Sequence, residues 1–305
     1  MTPVRMPDLA PREGARPRAG RGLVVPLLLQ LGAMLGLGAL LYPQAADWFA
    51  TQAHDAEVSG YVRQVQALPD AARQEALDRA YAYNATLPQG LLRDPYVVDT
   101  ADGVDEGEYQ DLLRVGNEDV IGQLAYPRLH VALPLYHGTS DHVLARGVGH
   151  LFGSSLPVGG PSTHAVLTSH SGLVNAALFS PLTRAEIGDT FYLEVLGESL
   201  HYRVDGIETV LPEETERLRI EPGEDRVTLF TCTPIGINSH RLLVHAVRVP
   251  APDTTVGHAL AGDGIEAGFP WWALWFGAAS LAVAAFLVTP PRRRSAPTDS
   301  MGGGR

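Results

Sequence analysis

The sequence predicts a mainly β domain, closed or nearly closed into a barrel, that follows a pair of helices and lies between two apolar helices. Short runs of alternating apolar and polar residues, separated by Gly, Pro and Asp turns, begin near residue 118 and continue to residue 252. Apolar residues at helical spacing precede them, between residues 47 and 86. Two nearly uncharged segments flank this region, and each has about the 20 residues that cross a bilayer.

The first apolar segment, Leu23 to Leu41, follows a tail that is rich in Arg, Pro and Gly. The tail, residues 1–22, is predicted to be cytoplasmic and disordered, and residues 23–42 are predicted to be a transmembrane signal-anchor. The alternative is a cleaved signal peptide, because the small residues Ala45 and Ala46 follow the segment. The apolar run is long for the core of a signal peptide, which favours the anchor.

The second apolar segment, Phe269 to Val288, begins with aromatic residues and ends before three consecutive arginines. Tryptophans at its start fit an interfacial anchor, so residues 269–289 are predicted to cross the membrane, with residues 290–305 as a second cytoplasmic tail. Arginines stand at the outer end of each apolar segment, and the positive-inside rule therefore puts both termini in the cytoplasm. The sequence predicts a two-pass protein of the cell membrane whose central domain is extracellular.

The charge distribution argues against one class of partner. The chain has a formal charge of −11, but nine arginines and only three acidic residues lie in the two tails. The rest of the chain holds 14 arginines against 31 acidic residues, a net charge of −17, which argues against binding to nucleic acid. No Cys/His spacing typical of a zinc site occurs, and neither a metal nor a cofactor is predicted.

The residues before the strands predict two helices and a long irregular segment. Apolar residues recur at helical spacing in the first helix, which Pro69 and Asp70 interrupt. A second helix is predicted from Ala71 to Tyr83, and the apolar faces of both helices are expected to pack on the domain. From Asn84 to Asn117 the sequence is rich in acids, Gly and Pro. A segment this long is typical of a lid or binding loop, so residues 47–117 are interpreted as N-terminal helices and lid.

Seven candidate strands follow within residues 118–252. They are Gly122 to Tyr126, Leu129 to Leu135, His164 to Thr168, Thr190 to Leu196, Leu200 to Ile207, Val227 to Thr231 and Leu242 to Val249. Several of them alternate apolar and polar residues, and turn residues separate them. This pattern is typical of a β-barrel with few helices.

The single cysteine, Cys232, lies at the end of one candidate strand, and Arg241 lies at the start of the next. One cysteine cannot form an internal disulfide, so it serves either packing or reactivity. A cysteine in a strand is most often a small apolar core residue. A thiol beside a fixed cation is also a candidate nucleophile, because the positive charge favours the thiolate. The position alone leaves both interpretations open.

Three separated motifs resemble those of the sortase family. Residues Thr228 to Cys232 read TLFTC, which matches the TLxTC signature, and the spacing from its cysteine to Arg241 also fits. Residues Leu167 to Leu173 read LTSHSGL and resemble the histidine segment LTGHRGL, from which Ser169 and Ser171 depart. The motifs occur in the order that the family has, and the resemblance runs from about residue 80 to residue 250.

The resemblance implies a fold and an activity. Sortases form an eight-stranded β-barrel and are cysteine transpeptidases. Cys232 would be the nucleophile that attacks an LPxTG-type sorting signal between Thr and Gly and forms a thioester. His170 would be the general acid and then the general base, and Arg241 would stabilise the developing oxyanion. The nearby His164 and His240 match no catalytic position and are predicted to be structural.

The segment Asp94-Pro95-Tyr96 resembles the Asp-Pro-aromatic lid motif of class C sortases, which assemble pili. The resemblance implies that Asp94 pairs with Arg241 and that the Tyr96 ring lies over Cys232, as an autoinhibitory lid. Tyr stands where Phe or Trp is more usual. The competing interpretation is an ordinary Asp-Pro turn. A class C enzyme would transfer the acyl group to a lysine amine of a pilin subunit, so the predicted partners are LPxTG-bearing pilins or surface proteins, and the membrane.

Two other functions remain open. A sortase could attach surface proteins to a cell-wall peptide amine instead of polymerising pilins, and the acceptor amine distinguishes the two. A function of another class would be that of a non-enzymatic, membrane-tethered surface protein with a degenerate barrel. The presence of Cys232, His170 and Arg241 together argues against it. A thiol redox function is weaker still, because the chain has no second cysteine.

Overall fold

The fold is described from a computed structural model of the 305-residue chain. The structure describes residues 24–87, 92, 94, 96, 107–116, 119–214, 216–251 and 267–289. The two predicted tails, residues 1–22 and 290–305, and the predicted lid residue Pro95 lie outside the described residues. The chain divides into two compact units, of which one comprises residues 42–270 and the other the two ends of the chain.

Helices occur before, within and after the β region. They are α1 (Val24–Ala67), α2 (Asp70–Thr86), α3 (Gly107–Asp111), α4 (Asp141–Arg146) and α5 (Trp271–Val288). By length and apolar composition, α1 and α5 could each cross a membrane. α1 runs without a break through the predicted membrane span and the predicted helix that follows it, with Pro43 inside it. It ends just before Pro69, where the sequence predicts an interruption, and α2 begins at Asp70.

The last turns of α1 pack on the barrel. Its buried residues recur at helical spacing and are Val58, Tyr61, Val62 and Val65. The Tyr61 hydroxyl donates to the Ile121 carbonyl at 2.9 Å and accepts from the Leu196 amide at 2.8 Å. This buried hydroxyl therefore both donates and accepts a hydrogen bond, and the two bonds fix the position of α1 along the barrel in addition to its apolar packing.

Eight strands form one closed barrel. They are β1 (Val120–Tyr126), β2 (Val131–His137), β3 (Val148–His150), β4 (Thr163–Thr168), β5 (Thr190–Val195), β6 (Glu198–Val210), β7 (Asp225–Thr233) and β8 (His240–Arg248). Their order around the barrel is β1-β2-β3-β4-β7-β8-β6-β5, and β5 closes on β1. The β2–β3 and β4–β7 pairs are parallel and the others are antiparallel. The predicted fold class, an eight-stranded barrel with N-terminal helices and an apolar helix at each end, is confirmed.

Two differences from the predicted strands have physical causes. β3 is not among the seven candidates, because it has three residues and a central Gly149, which breaks any alternating pattern. A Cβ at Gly149 would lie 2.4 Å from the Gly138 carbonyl oxygen, so close packing of two main chains requires glycine here. β2 begins at Val131 rather than Leu129, since residues 127–129 form a 3₁₀ turn.

Tyr109 of α3 anchors the described end of the long irregular segment. Its buried hydroxyl lies 2.8 Å from Nδ1 of His150 and accepts from the Gly138 amide at 3.1 Å. Its ring lies edge-on to the His137 ring, with centroids 4.3 Å apart. The irregular segment therefore rejoins the barrel at a fixed point, which the sequence pattern did not indicate.

Candidate active site

β7 and β8 bring Cys232 and Arg241 together. The strands are antiparallel, and Cys232 pairs with Arg241 in their register. Directly paired residues project their side chains from the same face of a sheet. A shift of one residue would put the thiol and the guanidinium on opposite faces, so the eight residues that separate Cys232 from Arg241 in the sequence are a condition for the site.

Arg241 is held by the connection between the two strands. Its Nη1 donates to the Asn238 carbonyl at 2.9 Å and to the His240 carbonyl at 3.1 Å. Asn238 adopts a φ of 58°, a left-handed conformation that Asn tolerates better than most residues. The guanidinium is thereby buried in one orientation, and its Nε remains for a further partner.

That partner is Asp94. Nε of Arg241 donates to Oδ2 of Asp94 at 2.7 Å, and the two side chains are only 6% and 3% exposed. Oδ1 of Asp94 accepts from the Tyr96 amide at 2.8 Å, which forms a local Asx-type turn. Asp94 therefore forms an Asx-type turn with one carboxylate oxygen and an ion pair with Arg241 through the other. Removing one partner of such a buried pair costs about 3–5 kcal/mol.

The Tyr96 ring lies among the predicted catalytic side chains. Its centroid is 5.7 Å from that of the His170 imidazole and 5.9 Å from that of the Phe230 ring. The Arg241 guanidinium carbon lies 5.3 Å from the same centroid, within the range of a cation–π contact. Cys232 is buried, with 6% of its surface exposed. The ring of Tyr96 thus lies close to His170, Phe230 and Arg241.

The Tyr96 hydroxyl fastens this ring to the end of β4. It donates to the Ser169 carbonyl at 2.8 Å and lies 2.7 Å from Oγ1 of Thr168. A phenol has one proton, so Thr168 is the donor in the second bond. Phe or Trp at position 96 has no hydroxyl group and could make neither of these bonds.

His170 follows β4 by two residues and is placed by its main chain. Its carbonyl accepts from the Phe179 amide at 3.0 Å. The preceding residue, Ser169, donates its hydroxyl to the Gly147 carbonyl at 2.6 Å. Within the described residues the imidazole of His170 makes no hydrogen bond, and none joins it to the Cys232 sulfur. The ring is half-buried and lies beside the Tyr96 ring.

Burial favours the neutral form of both Cys232 and His170. It raises the pKa of the Cys232 thiol; the Arg241 cation opposes this increase, and the Asp94 carboxylate adds to it. Burial also lowers the pKa of His170, an effect that Asp141 opposes. The covered site therefore favours a neutral thiol and a neutral imidazole over the thiolate and imidazolium.

The other two histidines near the motifs have structural contacts. His164 is buried, with its nitrogens 2.9 Å from the Arg219 carbonyl and 2.7 Å from the Thr228 hydroxyl. Its burial lowers its pKa to about 4, so it is neutral at pH 7. His240 supplies a main-chain carbonyl to Arg241. These contacts agree with the structural part that the sequence predicts for both residues.

Two hydroxyl groups in the site were not singled out from the sequence. Thr231 donates to the Ser169 carbonyl at 2.7 Å, and Ser171 donates to the Cys232 carbonyl at 2.7 Å. The sequence marks Ser171 only as a departure from the family motif. The available signal was its position: a hydroxyl residue next to the histidine, where the motif has Arg.

Sequence comparison relates the chain to known sortases. The family model described as "Sortase domain" matches residues 124–249. Sortase A of Streptococcus agalactiae serotype III (strain NEM316) is 33% identical over 133 residues, and sortase A of Bacillus anthracis is 29% identical over 139 residues. These matches cover 43% and 44% of this chain and 53% and 64% of the two relatives. The chain therefore spans between half and two thirds of the length of these curated relatives.

Solved structures of sortase C proteins match over almost their whole length. Sortase C-1 from Actinomyces oris is 46% identical with a TM-score of 0.57, and the match covers 59% of this chain and 99% of that one. Streptococcus agalactiae sortase C1 is 43% identical with a TM-score of 0.60, and the match covers 66% and 98%. Streptococcus pneumoniae sortase C is 43% identical with a TM-score of 0.58, and the match covers 64% and 98%. The chain therefore belongs to the sortase family, and its structural neighbours place it with the class C sortases.

Proposed function

We propose that this protein is a membrane-anchored cysteine transpeptidase that polymerises pilins. It would cleave an LPxTG-type sorting signal between Thr and Gly and transfer the acyl group to a lysine amine of another pilin subunit. The observation that carries the proposal is the grouping of the buried Cys232 and Arg241 with the half-buried His170 and Tyr96, with Asp94 paired to the arginine. The solved Streptococcus pneumoniae sortase C is described in terms of pilin substrate specificity, which agrees with this substrate class.

The proposed reaction has two steps. In the first, the Cys232 thiolate attacks the threonine carbonyl carbon, and Arg241 donates hydrogen bonds to the oxygen that becomes negative. The bond to glycine breaks, and His170 gives its proton to the leaving amine. In the second, the acceptor lysine amine attacks the thioester, His170 takes its proton, and the thiolate leaves. The thioester conserves much of the energy of the peptide bond, so the transfer needs no ATP.

Asp94 and Tyr96 would act as an autoinhibitory lid, together with Pro95 of the motif. The Asp94 carboxylate occupies the guanidinium that the oxyanion would require, and the Tyr96 ring lies beside His170 and Arg241. The Asp94 carboxylate also adds to the raised pKa of the Cys232 thiol, of which burial is the largest cause. The covered site would therefore be a resting form, and opening would free the nucleophile and the oxyanion donor together.

Intact-mass spectrometry of the full chain in detergent, incubated with an LPxTG-type peptide, tests the chemistry. We compare the wild-type protein with the Asp94→Ala/Tyr96→Ala double variant and with Cys232→Ala. An acyl adduct is expected on the first two, faster on the double variant, and none on Cys232→Ala. An added amine should release it as a new amide; the chain has no lysine, so its own side chains cannot compete. Folded wild-type and double-variant proteins that form no adduct with any of a panel of LPxTG-type signals would refute the proposal.

The acceptor separates pilus assembly from attachment to the cell wall. The acyl-enzyme is offered a lysine-bearing pilin and a wall-type peptide amine at equal concentration, and the two amide products are quantified. The proposal expects the pilin product to predominate. A predominant wall-peptide product would instead favour the alternative sortase function.

The two apolar helices supply the proposed membrane anchor. α1 and α5 each have the length and composition of a membrane-spanning helix. With both termini cytoplasmic, the barrel would face the extracellular side, where surface proteins are assembled. Protease added outside intact cells should then cleave the barrel region and leave tags at both termini uncut, and a terminal tag cut from outside would contradict this topology.

A further inference from the structure

The parallel ladder between β4 and β7 stops just before the reactive residues. Its last register pair is Thr168 with Phe230, and the last main-chain bond, from the Ser169 amide to the Phe230 carbonyl, is long at 3.4 Å. Beyond this point the chain after β4 turns away, while β7 continues through Cys232. The two catalytic segments therefore lose main-chain pairing at the place where their relative position matters most.

Side-chain hydroxyls replace the missing ladder. Carbonyls on one strand point alternately to its two neighbours, so the Cys232 carbonyl points the same way as that of Phe230, towards the end of β4. Ser171 donates its hydroxyl to this carbonyl at 2.7 Å. Thr231 donates to the Ser169 carbonyl at 2.7 Å, one step earlier along the strands. The Ser171 bond thus joins the residue next to His170 directly to the main chain of the nucleophile.

The position of His170 depends on such main-chain links, because within the described residues its ring has no hydrogen-bond partner. The segment around it is also held by the Tyr96 hydroxyl, which donates to the Ser169 carbonyl at 2.8 Å. If Tyr96 leaves when the proposed lid opens, that bond is lost. The bonds from Ser171 and Thr231 then remain as the hydroxyl links between the histidine segment and β7.

We propose that Ser171 is a positioning residue that holds the His170 imidazole in place for the Cys232 thiol by hydrogen bonding to the Cys232 carbonyl. The proposal rests on the proposed transpeptidase function, for which it names a further contributing residue. Ser171 would not touch the substrate. It would act on proton transfer, through the distance between imidazole and sulfur, and leave peptide binding unchanged.

The test uses the full chain in detergent with three variants. Ser171→Ala removes the hydroxyl, Ser171→Thr retains it, and Thr183→Ala is the matched control. Thr183 is exposed in the segment after His170, and its hydroxyl donates to the Ser180 carbonyl at 3.1 Å without contacting Cys232. A thermal melt of each variant verifies that it is folded before kinetics are measured.

Peptide turnover provides the first measurement. Ser171→Ala is expected to lower kcat about 10-fold, the factor that one ordinary hydrogen bond represents, and to change KM less than about twofold. Ser171→Thr should recover kcat to within about threefold of wild type, and Thr183→Ala should match wild type. An unchanged kcat in Ser171→Ala, an equal loss of kcat in the hydroxyl-retaining variant, or a change confined to KM would overturn the proposal.

Alkylation of Cys232 provides the second measurement, which needs no peptide and separates this proposal from the proposed function. The rate is measured against pH in the Asp94→Ala/Tyr96→Ala background, with and without His170→Ala. If Ser171 positions the imidazole, Ser171→Ala should shift the pH profile in the same direction as His170→Ala, and Ser171→Thr should not. A Ser171→Ala profile identical to the parent overturns the proposal, whether or not the peptide is ever cleaved. Absent peptide cleavage with this shift present would instead count against the proposed function alone.

Discussion

The substitution Tyr96→Phe separates the contribution of the Tyr96 hydroxyl bonds to the proposed lid from that of the ring itself. The substitution removes one oxygen atom and keeps the ring between His170 and Phe230. It also keeps the Asp94–Arg241 ion pair, which involves neither the ring nor the hydroxyl. The substitution therefore changes how firmly the cover is held and little else.

The expected magnitude follows from the two bonds that are lost. The hydroxyl donates to the Ser169 carbonyl at 2.8 Å and accepts from the Thr168 hydroxyl at 2.7 Å. Each such bond contributes a net 0.5–1.5 kcal/mol relative to water, so the covered state should lose about 1–3 kcal/mol against the open state. That corresponds to an increase in the open population of about 5- to 150-fold. In the open state the tyrosine hydroxyl is in water, and its removal there changes little.

The rate at which iodoacetamide alkylates Cys232 reports this population, provided that opening is fast compared with the reaction. Rates are measured at one pH for wild type, Tyr96→Phe and Tyr202→Phe. Tyr202 is a matched control because its buried hydroxyl also bonds a partner, Asp225, at 3.0 Å, but at the opposite end of β7 from Cys232. Tyr96→Phe should react about 5- to 150-fold faster than wild type, and Tyr202→Phe at the wild-type rate.

A rate in Tyr96→Phe within about twofold of wild type would refute the reasoning, since the two short, partly buried bonds should not both be lost at no cost. Equal acceleration in Tyr202→Phe would also refute it. In that case the thiol would be reached by loosening of the whole barrel, and the hydroxyl of Tyr96 would have no special part in covering it.

Three further predictions concern charge, pH and packing. Asp94→Asn removes a carboxylate that raises the pKa of Cys232, so the midpoint of alkylation rate against pH should move to lower pH, and an unmoved midpoint would contradict this. Three buried histidines have folded-state pKa values of about 4, 3 and 4, lowered by burial from 6.5: His137, His150 and His164. Below pH 6.5 the unfolded chain therefore binds more protons than the folded chain, and the free energy of unfolding decreases as the pH is lowered. Between pH 6.5 and about 4, unfolding with urea should show a decrease of up to about 1.4 kcal/mol per histidine for each pH unit. Asn84→Ala removes two buried bonds to the Leu156 main chain, at 2.7 and 3.1 Å, and should cost about 1–3 kcal/mol in the same assay, whereas no loss would show that α2 is held by apolar contacts alone.

The barrel and the residues on it could be predicted from the sequence because their signals are local. Strands such as β7 are runs of β-branched and apolar residues. The short spacing from Cys232 to Arg241 fits a hairpin of β7 and β8 in which these two residues pair. β3 was not predicted, because its three residues, centred on Gly149, are too few to show an alternating pattern. α1 was expected as a membrane span followed by a separate helix, since the change from apolar to amphipathic composition says nothing about whether the backbone is continuous.

The contacts within the site could be predicted only in part, because most of them join distant segments. A sequence pattern does not show that Tyr109 bonds His150, 41 residues away, or that Ser171 reaches the Cys232 carbonyl. Both arise from where strands end, and strand ends are the least certain part of any pattern. The Asp94–Arg241 pair, 147 residues apart, was expected solely through resemblance to a family motif.

Burial shifts the pKa values of both Cys232 and His170 away from the charged forms that the proposed reaction needs. Burial is the largest influence on both pKa values: it raises that of the Cys232 thiol and lowers that of the His170 imidazole. In the proposed reaction a proton passes from the thiol to the imidazole, and both shifts disfavour the resulting thiolate and imidazolium. If Asp94 and Tyr96 move away as proposed, Cys232 would lose the carboxylate that adds to its raised pKa. Arg241 would also be freed from Asp94, so that its cation would act on the thiol without its counter-charge. In the proposed mechanism, a single movement of Asp94 and Tyr96 would therefore change the surroundings of the nucleophile, the proton carrier and the oxyanion donor together.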